Sequence, residues 1–209
     1  MALYAIGDLH LCLGAPKPMD VFGEKWENYE SKVKENVDKM LSDDDVLIIA
    51  GDLSWAMQIA EAREDLDFIG SLKGRKIIIR GNHDYWWSTV SKFNQFCNAK
   101  GFSNLHILNN NYFEYNGWAI CGTRGWFFEE ERSGEHDEKV FKRELMRLEA
   151  SLKSAGELQK IVFLHYPPKY KGYECPEILE LLQKYDVRQC FYGHLHGPSH
   201  GLAVEGLWN

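Results

Sequence analysis

The strongest constraint on what this chain can fold into is a set of five short apolar runs: "LYAIG" from residue 3, "VLIIAG" from 46, "KIIIRG" from 76, "KIVFLH" from 160 and "QCFYG" from 189. Their hydrophobicity is continuous rather than alternating, the pattern of strands covered on both faces. Between them, Trp26, Tyr29, Val33, Val37 and Met40 recur every three or four residues. So do Ile59, Ala62, Leu66 and Ile69, and later Phe141, Leu145, Leu148 and Leu152. That is the spacing of amphipathic helices. Strands alternating with helices predict a layered α/β domain.

Residues 105 to 122 read differently, with Asn-rich and Asn-Gly turns between short β-like pieces, and predict hairpin-connected strands. From 126 to 156 the chain holds an acidic stretch and one amphipathic helix. With no repeat, linker or low-complexity segment, residues 1–209 read as one domain, long enough to bury a substantial core.

Each apolar run leads into polar residues at its C-terminal end: Asp8 and His10, then Asp52, then Asn82, His83 and Asp84, then His165, then His194 and His196. In open α/β sheets that rim is where ligands bind. In an extended chain residues i and i+2 point to one side, so Asp8 with His10, and His194 with His196, are expected to converge. Glycines at 7, 51, 81 and 193 allow sharp turns beside them. A purely structural role suits any one of these histidines, but buried polar groups are costly unless something satisfies them, which weighs against it for the whole set. Two carboxylates, one amide and four histidines, with no sulfur, suit borderline divalent metals and exceed what one tetrahedral zinc needs.

Composition narrows the partners. With 24 Lys and Arg against 31 Asp and Glu, the net charge of -7 disfavours a nucleic-acid backbone. The five cysteines are scattered and never form C-x-x-C, which argues against a disulfide framework or a thiolate zinc site. The N-terminus lacks a basic region and Asp8 and His10 interrupt its apolar stretch, so it does not read as a signal peptide, and no apolar run reaches membrane-spanning length. A cytoplasmic protein without a membrane partner is expected.

The ordered set "GDLH", "GD", "GNHD", "LHYPP" and "GHLH", spanning residues 7 to 196, resembles the calcineurin-like metallophosphoesterase family. The resemblance implies a four-layer αββα sandwich of two mixed β-sheets flanked by helices, with a di-metal site at the strand C-terminal ends. It implies one metal held by Asp8, His10 and His196, a second by Asn82, His165 and His194, and Asp52 bridging them. The metals would be two divalent ions drawn from manganese, iron, zinc and nickel. Two ions less Asp8, Asp52 and a bridging hydroxide leave about +1 facing a phosphate, and ions about 3.5–4 Å apart can hold both nucleophile and phosphoryl oxygens. Bound water acidified from about 15.7 towards 7 removes the need for a separate base. The family pattern makes His83 the proton donor to the leaving group, with Asp84 orienting its ring. Asp84 also reads as an N-cap, because a helix is expected to begin near it.

Arg124 follows the strand-like "WAICGT" and offers a bidentate fork to a phosphate, with a surface ion pair as the alternative. Trp86, Trp87, Trp126 and Phe127 read either as an aromatic wall for a planar group or as core. His106, His136 and His200 read as surface or loop residues, Glu129, Glu130 and Glu131 as a solvated face, and the helix after them as a candidate lid.

The expected function is hydrolysis of a phosphomonoester or phosphodiester of a small molecule. A nuclease of the same superfamily and a non-catalytic metal-binding scaffold are the alternatives. Protein Ser/Thr phosphatases fit poorly, since the chain has Leu11 after His10, "GDLSWA" at 51 to 56, and Asp84. Only 13 residues follow His196 (209 minus 196), where family members continue with further strands, so a boundary or a shorter sheet is expected there.

Overall fold

The computed structural model describes residues 1–15, 17–126, 135–204 and 206. The chain divides into two compact units, Met1–Ile107 and Leu108–Asn209.

The first unit strings four strands through three helices. The strands are β1 (Leu3–Ile6), β2 (Val46–Ala50), β3 (Arg75–Ile79) and β4 (Leu105–Ile107), and the helices are α1 (Tyr29–Met40), α2 (Arg63–Ser71) and α3 (Val90–Lys100). The sheet has the order β1-β2-β3-β4 and is parallel throughout. Parallel neighbours need crossovers, and the helices provide them. Burial follows strand position: every residue of β2 and all but the first of β3 are buried, whereas β1, at an edge, is only half covered. Continuous hydrophobicity therefore reports burial on both faces for the inner strands and only strand identity for β1.

The second unit contains β5 (Phe113–Tyr115), β6 (Trp118–Thr123), α4 (Glu135–Ser154), β7 (Gln159–Leu164), the short ribbon β8 (Lys169–Tyr170) and β9 (Tyr173–Glu174), α5 (Pro176–Lys184) and β10 (Gln189–Tyr192). Its sheet, in the order β10-β7-β6-β5, is mixed, because β5 runs antiparallel to β6 and the rest are parallel. The expected α/β class holds, with one wholly parallel and one mixed four-stranded sheet. The expected run of hairpins is reduced to one: β5 and β6 join through Asn116 and Gly117, both with positive φ, whereas β4 pairs in parallel with β3.

Both units stop a helix in the same way before a central strand. Gly74 and Gly156 turn with positive φ. Two residues later in the first unit and four in the second, a buried lysine folds back onto backbone carbonyls: Lys76 Nζ onto those of Leu72 and Gly74, and Lys160 Nζ onto those of Gly156 and Leu158. These carbonyls belong to the turn between helix and strand, and the folded-back lysine satisfies them.

No helix among the described residues is long and apolar enough to cross a membrane. The cysteines at 12, 97, 121, 175 and 190 are all free, as their scatter predicts.

Candidate active site

In the first unit the pairing of β1 with β2 continues past the strands as a parallel stitch. Asp8 N donates to Gly51 O (3.1 Å), His10 N to Asp52 O (2.9 Å), Leu11 N to Leu53 O (2.8 Å) and Trp55 N back to Leu11 O (2.9 Å). These bonds carry the motif residues side by side at the sheet's C-terminal rim. Asp8 presents a ligand atom within 4.8 Å of one on His10 and of one on Asp52. His10 Nε2 lies 3.8 Å from Asp52 Oδ2, and both side chains are almost wholly buried.

The convergence of Asp8 and His10 does not come from an extended chain. Asp8 (φ 56°), His10 (φ 48°) and Asp52 (φ 51°) all occupy the left-handed region, as does His194 (φ 68°) in the second unit. Among the described residues eight non-glycine positions have positive φ, and four of them are these candidate ligands. Left-handed backbone is uncommon outside glycine, and it concentrates where function holds a side chain against local preference.

The loop after β3 is tied to the loop after β2 by two carboxylates. Asp52 Oδ1 accepts the His83 N–H at 2.8 Å. Asp84, fully buried, accepts five donors: Asp52 N (2.9 Å) and Gly81 N (2.7 Å) on Oδ2, and Leu53 N (2.9 Å), Ser54 N (3.2 Å) and Trp86 Nε1 (2.9 Å) on Oδ1. Helix α3 is capped elsewhere, by Thr89, whose side chain accepts the Lys92 N–H. The expectation of Asp84 as a helix cap is thus corrected: the helix starts six residues further on (90 minus 84), and the carboxylate anchors backbone instead. Both of its oxygens are engaged with these donors rather than with the His83 ring.

Trp86 is 2% exposed and packs with Phe93 in the core. The aromatic-wall expectation is corrected there, because an indole closed off from solvent and bonded to Asp84 does not line a rim. Trp87 packs partly buried against the same core. Phe127 and Glu129 to Glu131 lie outside the described residues, as does the segment leading into the helix expected to serve as a lid.

Burial, with the negative charges of Asp84 and Asp8 nearby, pushes the Asp52 carboxyl up to about 8. Carboxylates gathered this closely, beside an imidazole and the half-buried Asn82 amide, are a donor set that fits a borderline divalent cation. The residues of this unit therefore suit a metal.

In the second unit, Arg124, His165, His194 and His196 follow β6, β7 and β10. The Arg124 carbonyl accepts the N–H groups of His165 (3.1 Å) and Tyr166 (2.8 Å). The rings of His165 and His194 stand 5.2 Å apart at 75°, and Tyr166 packs on His194 at 4.6 Å. His165 is fully buried, and His196 is exposed at the start of a short 3-10 turn, Gly197–Leu202. The Arg124 guanidinium pairs with buried Glu144 at 3.4 Å and lies 4.9 Å over the Trp126 ring. Its ion pair is largely buried, not the surface pair expected as its alternative role. Glu144 also accepts Thr123 Oγ1 (2.8 Å) and Arg147 NH1 (2.7 Å).

A sequence model described as calcineurin-like phosphoesterase matches residues 1–198. The chain belongs to the calcineurin-like phosphoesterase family. It is accordingly a metal-dependent phosphoesterase. Curated proteins gave no significant match. Among solved structures, the phosphopantetheinyl hydrolase of Mycobacterium tuberculosis is 17% identical over 94% of this chain and 83% of its own, with a TM-score of 0.54. The protein TT1561 of Thermus thermophilus is 15% identical over 95% of this chain and 85% of its own, with a TM-score of 0.53. At such identities the likeness is one of fold.

Several residues that hold this phosphoesterase's motif loops carry no sequence signal of their own. Tyr29 donates its hydroxyl to His10 O (3.0 Å). Asp65 on α2 accepts Ser54 Oγ and the Leu13 N–H (2.8 Å), and burial raises its carboxyl. Trp55, in "GDLSWA", stacks on His10 with ring centroids 4.7 Å apart and an interplanar angle of 19°. Of the remaining histidines, His106 sits half-buried in β4, whereas His136 and His200 are exposed as expected.

Proposed function

We propose that this phosphoesterase hydrolyses a phosphomonoester or phosphodiester of a small molecule, with two divalent ions held by the seven motif side chains. In this reading residues 1–209 act as one catalytic domain. Asp8, His10 and His196 hold one ion, Asn82, His165 and His194 the other, and Asp52 serves both. The observation that carries the reading is the left-handed backbone shared by Asp8, His10, Asp52 and His194, strain placed at the residues the family pattern assigns to metal. Family membership over residues 1–198 and a solved structure of like fold that is a phosphopantetheinyl hydrolase support the substrate class.

When bound, two divalent ions supply a water acidified to near neutrality and Lewis acidity at the phosphoryl oxygens. The chain's own side chains do the rest. His83, its backbone held by Asp52, delivers a proton to the leaving oxygen. Arg124, fixed in direction by Glu144 and Trp126, binds a phosphoryl oxygen.

The test is metal analysis followed by a panel of small phosphomonoesters, phosphodiesters and DNA, each with manganese, nickel, iron or zinc. Two metals per chain and turnover of small esters over DNA are expected. DNA cleavage alone, or two bound metals with no hydrolysis of any ester, would overturn the proposal. His83→Ala is expected to keep both metals and to lose turnover most on esters with poor leaving groups.

A further inference from the structure

Trp55 lies at the apex of a three-ring cluster. Its indole stacks nearly parallel on His10 at 4.7 Å and meets His83 at 4.6 Å with an interplanar angle of 52°, while His10 and His83 are 5.7 Å apart. The indole is itself held on several sides. Its backbone N–H donates to Leu11 O (2.9 Å), its ring N–H meets Met19 Sδ at 3.2 Å, and Lys17 Nζ lies 4.8 Å from the ring. It is therefore a fixed surface, and two imidazoles with separate proposed duties rest against it.

We infer that Trp55 is a positioning residue that sets the ring orientation of His83 for proton delivery to the leaving group. This rests on the proposed role of His83. A proton donor needs its ring aimed as well as its backbone placed, and here Asp52 places the backbone. Asp84, the neighbour expected to aim the ring, spends both oxygens on other donors. The Trp55 ring is in tilted contact with the His83 ring at 4.6 Å and is rigid, with only two side-chain torsions to fix. Loss of the indole removes one of the rings that confine the imidazole, beside Tyr85 at 6.2 Å and His10 at 5.7 Å, while leaving its backbone where it is.

The experiment compares Trp55→Ala, Trp55→Leu and Trp55→Phe with the wild type, all loaded with manganese. With an alkyl phosphoester, Trp55→Ala and Trp55→Leu are expected to lower kcat by about 10- to 100-fold with KM little changed, the order that a misplacement of about 1 Å costs. With a p-nitrophenyl ester, whose leaving group needs no proton, the loss should be within a few-fold. Trp55→Phe keeps a flat ring and should recover most of the alkyl-ester kcat, whereas Trp55→Leu fills volume without a ring and should not. Independently of turnover, the side-chain proton resonances of His83 in zinc-loaded, histidine-labelled protein should shift in Trp55→Leu, because the ring current of the indole is lost. Equal losses on both esters, full activity in Trp55→Leu, or unmoved His83 resonances would overturn the inference. An inactive wild type, or His83→Ala with the wild-type preference among esters, would instead overturn the proposed function.

Discussion

A β-carbon on Gly81 would collide with Asp52 Oδ1 and with the Asp52 backbone nitrogen, and would lie 2.8 Å from Asp52 Cγ. The two motif loops are in contact through a gap that only a hydrogen atom fits. Gly81→Ala is therefore expected to push Asp52 out of place, at a cost of about 1–3 kcal/mol or more from overpacking. Urea unfolding gives the stability loss. Calorimetric titration with manganese should show weakened binding alongside it, and unchanged binding would mean that Asp52 takes no part in holding metal.

Asp84 gathers five donors, four from backbone and one from an indole, so its removal should be felt as a folding defect. Asp84→Ala is expected to cost about 3–5 kcal/mol, the order for stripping one partner from a buried, fully bonded charge. Asp84→Asn should cost less, because one oxygen remains to accept. A variant that unfolds at the wild-type urea concentration but loses turnover would show that Asp84 serves His83 rather than the loops.

Glu144 is where Arg124, Arg147 and Thr123 meet. Glu144→Gln keeps the shape and removes the charge that directs Arg124. A stability loss of about 1–3 kcal/mol is expected, together with a raised KM for phosphoesters and unaltered metal content. Steady-state kinetics with metal analysis checks this; an unchanged KM would remove Arg124 from phosphate binding.

Lys76 is fully buried, and burial brings its ammonium down to about 8 from an ordinary value of 10.5. Below pH 8 the group is charged in both folded and unfolded chains, so the burial penalty is present in full. Between pH 8 and 10.5 the folded protein releases a proton that the unfolded chain keeps, so this group's contribution to stability rises with pH. Relative to Lys76→Met, the wild type should gain up to about 3 kcal/mol across that window. Urea unfolding of both proteins from pH 7 to 10.5 measures the difference, which should not fall with rising pH.

Much of the fold is legible in the sequence because its signals are local. The strands at 46–50, 75–79 and 159–164 are legible because each holds an unbroken apolar run, at 46–50, 77–79 and 161–164, and the three helical patterns mark α1, α2 and α4, with Trp26, Ile59 and Ala62 lying just ahead of the helices. Sequence misleads where a residue's role depends on chain far away. Asp84 reads as a cap for the helix after it, yet its partners at 52 to 54 come from another strand's loop. Trp86 and Trp87 read either as a rim wall or as core, and only the packing beside Phe93 closes Trp86 into the core. Arg124 has two readings in sequence because Glu144, twenty residues on, gives no hint that it folds back.

By itself the sequence determined the α/β class, the order of the five motif loops and the chemical kind of every proposed donor, since these follow from local hydrophobicity and residue type. The fold decided which of those side chains are strained, buried and bonded. Left-handed turns at Asp8, His10 and Asp52, the closeness of Gly81 to Asp52, and the stacking of Trp55 on His10 all arise when separate loops are packed at one sheet rim. Contacts of that kind have no periodicity along the chain, because they are set by the sterics of neighbours dozens of residues apart.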